Sequence, residues 1–224
     1  MTTVLQAKQI MGRNFFGIED AIRHFGLIPS NDEITALAEV PFSEATLKSC
    51  KDSHILVATP SISIVGIRNK ARPPGNPFTN WLSPSSRMEL FEGETWYKNR
   101  AFAVDGGTPE WHLVRKTPVA NSPSKTWDEQ QALLASNEET PKARVMVYTI
   151  IGHFLKTSLS AGASADKGER LFEKIYVRCV DEAPSGEQVI VGSFSRSYGL
   201  VINARDSDNR DFLLGLASAR KREI

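Results

Sequence analysis

Apolar and polar positions change rhythm three times along this chain. Near the N-terminus the rhythm is helical and broken into short pieces. Ile18 to Phe25 is a helix closed by Gly26, a residue that tolerates the left-handed conformation of a helix end. Ser30 and Glu33 have the spacing of a capping box, with Ile34, Leu37 and Ala38 as that helix's inner face. Ser43 opens a third helix, Glu44 to Cys50, after Pro41 ends the previous element.

From His54 the rhythm turns to short β-branched runs. His54 to Thr59 and Ile62 to Ile67 read as strands. Ala101 to Val104 and Glu110 to Arg115 read as a hairpin around Asp105-Gly106-Gly107. Thr126 is the cap of a helix beginning at Trp127. Residues 143–155 are then almost unbroken in apolarity. Val145, Val147, Tyr148, Ile150 and Ile151 favour β, yet the Thr140-Pro141 start and the length of the run predict a helix over Pro141 to Lys156. Small residues from Ser158 to Ala165 form a connector. Lys174 to Val180, Gln188 to Gly192 and Gly199 to Asn203 are spaced as an antiparallel meander.

The sum is an α+β fold, a mainly antiparallel sheet packed on a central apolar helix. Residues 1–52 form a short-helix N-terminal subdomain suited to a lid or a docking role. Residues 53–224 form the α+β domain, interrupted by an irregular segment at 68–95. At 224 residues such a chain buries about 70–75% of its unfolded surface, so its core needs no disulfide or metal.

Charge adds little direction. The formal net charge of +1 predicts no global attraction to nucleic acid or anionic lipid. Cys50 and Cys179 stand alone, without a second cysteine or histidine at zinc-ligand spacing, so no metal and no cofactor is expected. No apolar stretch reaches the ~18–20 residues that span a bilayer, and the first ten residues lack a secretory pattern. The expected location is cytoplasmic, with the two thiols reduced and with no membrane partner.

The dinucleotide, P-loop, zinc-protease and nucleophile-elbow motifs are all absent. Among titratable residues His153 leads. It shares a helix stripe with Thr149 and Thr157, and burial would lower its pKa and leave it a neutral base. The plainer reading is an imidazole satisfied by those hydroxyls or by water. His112 alternates with Trp111 and Leu113, so it points away from the face they bury, as a surface strand histidine does. His24 and His54 sit at element edges. Arg115 and Arg178 are the accompanying candidates for holding an anion.

Asp206-Ser207-Asp208-Asn209-Arg210-Asp211 resembles a calcium loop only superficially, because Arg210 replaces a ligand and the required glycine is missing. It reads as a solvated turn. The Ser122 and Lys125 pair lacks a helix to present it, and Glu138-Glu139 is explained by attraction to the following helix start. The binding signal is the irregular segment. There Arg68, Lys70, Arg72 and Arg87 interleave with Phe78 and Trp81, and Arg72 to Pro77 contains P-x-x-P. Cations can neutralise phosphates there while rings stack on bases. The four tryptophans, at spacings of 15, 15 and 16, are either a stacking surface or units of one core. Arg220-Lys221-Arg222 reads as a frayed tail that can add to a phosphate-binding face.

Asn121-Ser-Pro-Ser-Lys-Thr-Trp-Asp-Glu-Gln-Gln-Ala-Leu-Leu134, Ala143 to Ile151 and Leu171 to Arg178 carry a resemblance to a group of uncharacterised bacterial proteins. It runs from the N-terminal helices to Ala219-Arg220-Lys221. The resemblance implies a bacterial or mobile-element origin and carries over no functional residue. With no catalytic motif present, the expected function is a non-enzymatic binding or assembly protein. Its partner would be a protein or a second copy of itself, and single-stranded nucleic acid is a lesser option. The alternative is a hydrolase or nucleic-acid-processing enzyme with His153 or His112 as base.

Overall fold

The apolar block after Pro141 is a helix, and it is buried on every side. The computed structural model describes residues 1–71, 90–93, 95–160 and 168–223. In chain order the elements are β1 (Thr2–Thr3), α1 (Val4–Met11), β2 (Phe15–Phe16), α2 (Ile18–Phe25), α3 (Asn31–Ala36), β3 (Glu39–Val40), α4 (Glu44–Cys50), β4 (His54–Thr59), α5 (Ile64–Lys70) and α6 (Ala101–Val104). They continue as β5 (Glu110–Arg115), α7 (Trp127–Gln131), β6 (Glu138–Glu139), α8 (Ala143–Ser160), β7 (Tyr176–Glu182), β8 (Gln188–Ser195), β9 (Gly199–Arg205), β10 (Leu214–Leu216) and β11 (Ala219–Arg220).

Two larger sheets clasp α8. One has the strand order β2-β4-β5-β11-β6 and the other β10-β7-β8-β9. Only the β2–β4 and β10–β7 pairings in them are parallel, so the fold is the expected α+β class with antiparallel-rich sheets. Ile55, Val57 and Val114 come to α8 from the first sheet, and Val177, Val189 and Val191 from the second. Between them Val145, Met146, Val147, Tyr148, Ile150, Ile151, Phe154 and Leu155 cover the whole helix circumference. A helix apolar all round belongs inside a core, which is why β-prone residues are tolerated here as helix. Each such side chain contributes about 1.5–3 kcal/mol by leaving water. Gly152 lets β2 approach, since a Cβ there would come within 3.0 Å of the Phe16 ring.

A second apolar cluster lies on the outer face of the five-stranded sheet, where Ala7, Met11 and Leu47 of α1 and α4 cover Leu56, Ala58, Trp111 and Leu113. Residues 1–52 are therefore tied into the main body on both faces of this sheet. Phe16, Ala21 and Phe25 join the α8 core.

Cap chemistry places the short helices as expected. The hydroxyls of Ser30, Ser43 and Thr126 each accept an amide of the first turn, and Gly26 ends α2 in the left-handed region. Three local expectations are overturned. Ile62 to Ile67 is not a strand: Ser63 Oγ accepts the Gly66 amide at 3.0 Å and starts α5, which buries Ile64 and Ile67 on one face. Ala101 to Val104 is a helical turn, and Asp105 Oδ1 accepts the Gly107 amide at 2.8 Å instead of turning a hairpin. In α3, Ile34 is 52% exposed; only Leu37 of the expected inner face is buried. Among the described residues no helix is long and apolar enough to cross a membrane.

Candidate functional site

Along β5, side chains alternate between the two faces of a sheet covered on both sides. Trp111 and Leu113 go to the outer cluster, which sends Glu110, His112 and Val114 to the α8 side. His112 points away from the tryptophan face as expected, but it is not a surface residue. Its side chain is 13% exposed, because this face of the sheet is also covered.

His112 lines a cleft of about 260 Å³. Glu110 stands beside it on β5, Glu139 arrives from β6, Lys142 and Val145 from the start of α8, and Arg222 from beyond β11. Arg222 Nη1 lies 3.3 Å from Glu110 Oε2. The other oxygen, Glu110 Oε1, is 3.6 Å from His112 Nε2, beyond hydrogen-bond reach. His112 Nε2 is buried, with no hydrogen-bond partner among the described residues. Burial, reinforced by the guanidiniums of Arg144 and Arg222, lowers the His112 pKa to about 3. The imidazole is neutral at every physiological pH, despite the carboxylate nearby. Arg144 is fixed at the back of this region by donating to the carbonyl of Pro60 at 3.0 Å and that of Thr108 at 3.5 Å.

The other sequence candidates are dispersed. His153 is 1% exposed, and its Nε2 lies 3.0 Å from Glu169 Oε2. Its expected hydroxyl partners serve backbone instead: Thr149 donates to the Val145 carbonyl and Thr157 to the His153 carbonyl. Glu169 gathers a cluster, with Lys116 Nζ at 3.4 Å and Arg13 at 3.8 Å. The hydrogen bond from His153 and the Lys116 charge hold its carboxyl down at about 2. Arg115 projects to the opposite face of β5 from His112, 3.7 Å from Glu138. Arg178 is wholly buried. Its terminal nitrogens donate to the carbonyls of Lys125, Asp206 and Asn209 and to Gln130 Oε1, all within 3.0 Å. The loop at 206–211, expected as a solvated turn, instead directs the carbonyls of Asp206 and Asn209 at a buried guanidinium. Among the described residues no group of three or more His, Cys, Asp or Glu is arranged to hold a metal.

Of the irregular segment, Arg68 donates to the Tyr97 hydroxyl at 2.8 Å and sits over the Phe91 ring, while Lys70 is exposed. Arg72, Phe78, Trp81 and Arg87 lie outside the described residues. Trp111 is buried in the core, and Trp96 and Trp127 are half-buried. The basic C-terminus is not frayed through Arg220, since β11 pairs with both β5 and β6.

Sequence reasoning gave no role to Glu110, Lys142 or Glu169. It read Glu139 as support for the following helix start and Arg222 as part of a frayed tail able to add to a phosphate-binding face, and the cleft brings both beside His112. Glu110 alone had a readable signal, standing two positions before His112 and so on the same strand face. Comparison with protein-family models, curated proteins and solved structures found no match.

Proposed function

We propose that this chain is a non-enzymatic binding protein and that the cleft between β5, β6 and the start of α8 takes a small polar ligand. The observation that carries the reading is His112, a neutral imidazole in the cleft wall with a buried, unpartnered nitrogen. A general base works best with a pKa near the operating pH. An imidazole at about 3 is a poor proton acceptor and a good fixed hydrogen-bonding group. The volume is below the roughly 300–1,000 Å³ of sites for drug-sized molecules, which suits a ligand of amino-acid size. Cys50 and Cys179 are free and buried, in keeping with a cytoplasmic setting; a bacterial origin rests on the resemblance alone.

Amide NMR titration of the full chain with a panel of small charged metabolites tests the proposal. Saturable shifts at 110–112, 139–145 and 220–222, lost in His112→Gln, support it. Saturable shifts confined to other surfaces, or turnover of the bound compound, overturn it.

The enzyme alternative draws on the His153 and Glu169 pair, which has the form of a base with its orienting carboxylate. A His153→Ala variant that folds and keeps any activity found in the chain removes that assignment.

A further inference from the structure

Strand register assembles a second polar group on the outer face of the five-stranded sheet, which shares Arg220 with the cleft. His54 pairs directly with Arg115, and Glu138 with Arg220. Arg220 also pairs with Leu113 on β5, two positions from Arg115 on the same face. Arg115 and Arg220 are therefore diagonal neighbours, within reach of each other's long side chains.

Their charges do not cancel. Among the described residues Glu138 is the carboxylate paired with Arg115, at 3.7 Å, and it also accepts the Ala135 amide at 3.3 Å. The Arg220 side chain has no hydrogen bond and no ion pair among the described residues. Three nitrogens are buried without a partner among the described residues: Arg115 Nε, Arg220 Nε and His54 Nε2. His54 is 4% exposed, and its Nδ1 is 2.8 Å from Ser53 Oγ. The tautomer that accepts the Ser53 hydroxyl carries its proton on Nε2 and adds a third donor. Arg115, at 30% side-chain exposure, keeps the group open to solvent. Unpaired buried donors beside excess positive charge are costly unless an acceptor completes them.

We infer that Arg115, Arg220 and His54 form a site for a small tetrahedral oxyanion, phosphate or sulfate. A planar carboxylate matches the fork of one guanidinium. Donors from three strands match an ion with oxygens on several sides. Burial, then the charges of Arg220 and Arg115, lower the His54 pKa to about 4, so the third donor is neutral and the anion answers to the two guanidiniums. The site shares Arg220 with the cleft, whereas His54 and Arg115 lie outside the cleft lining, on the other face of the sheet from His112.

The test is thermal unfolding and NMR of the full chain titrated with inorganic phosphate, sodium sulfate or sodium acetate, each at ionic strength held constant with sodium chloride. Phosphate or sulfate at ten times its Kd should raise Tm by about 3–5 °C, with shifts at His54, Arg115 and Arg220. Arg115→Gln and Arg220→Gln should each weaken the response at least tenfold. Arg115→Gln should leave ligand-induced shifts at His112 unchanged, which separates failure of this site from failure of the cleft. Equal stabilisation by chloride or acetate, or a full phosphate response in both variants, overturns the assignment.

Discussion

Glu223 accepts the backbone amide of Ser43 at 2.6 Å, a contact between positions 180 apart in the chain. Its other oxygen receives the Thr46 hydroxyl, so the carboxylate sits at the positive end of α4. The Thr46 hydroxyl and the Ser43 donors hold the Glu223 carboxyl below its usual range. A depressed carboxyl stabilises the fold above the ordinary value of about 4.3 and loses that effect as pH falls below it. The carboxylate is exposed, so screening keeps the effect small: Glu223→Gln should lower the urea midpoint slightly at pH 7, and less at pH 3. An unchanged midpoint at pH 7 would show that the segment at Glu223 is held by its backbone alone, through the Glu223 amide on the Pro41 carbonyl.

Arg178 bears on stability more heavily. Its guanidinium joins β7 to α7 through Gln130 and to the loop at 206–209 through carbonyl oxygens. Arg178→Met strands those acceptors in the interior and should cost about 3 kcal/mol or more. Arg178→Lys should rescue little, because a point ammonium cannot address acceptors on two sides as a planar fork does. Hydrogen exchange should quicken first at 206–211. Slow exchange there in a folded Arg178→Met variant would refute the pinning role.

What could be read from the chain follows the range of the forces involved. Caps at Ser30, Ser43 and Thr126 act within three residues, and the meander of β7, β8 and β9 is written in its own alternation. Both were legible. Ile62 to Ile67 and Ala101 to Val104 were misread because β-branched or apolar composition was weighed above a serine cap and packing on α8. The two- and three-residue strands β6, β10 and β11 exist only through pairing with distant segments, and nothing local announces them. The cleft shows the same division. The facing of His112 came from alternation, whereas Arg222, Glu139 and Lys142 are brought to it by those unannounced pairings.

Glu169 offers a pH test of the cluster around His153. With its folded pKa at about 2 against about 4.3 unfolded, its contribution is complete above pH 4.3 and is lost as pH falls toward 2. The carboxylate is about one-third exposed, so solvent screening reduces the effect to about 1 kcal/mol. Glu169→Gln should be less stable than the parent by that amount at pH 7, with the gap closing by pH 2.5. A gap that persists at pH 2.5 would mean that packing, not charge, makes the contribution.

The histidines set a second pH window. Burial is the main cause that lowers His24 and His54 to about 4 and His112 to about 3. Each binds a proton in the unfolded chain below about 6.5 and refuses it in the fold until pH 3–4. The unfolded state therefore binds more protons in this window, so stability rises with pH across it. Each histidine adds up to about 1.4 kcal/mol per pH unit to the slope. Unfolding free energy should fall steadily from pH 6.5 to 4.5, and His112→Gln should flatten the slope. The ring protons of these three residues should not titrate between pH 5 and 8. For His112 that flatness also decides the chemistry of the cleft: a titration midpoint near 6.5 would put a competent base in the wall and favour catalysis over binding.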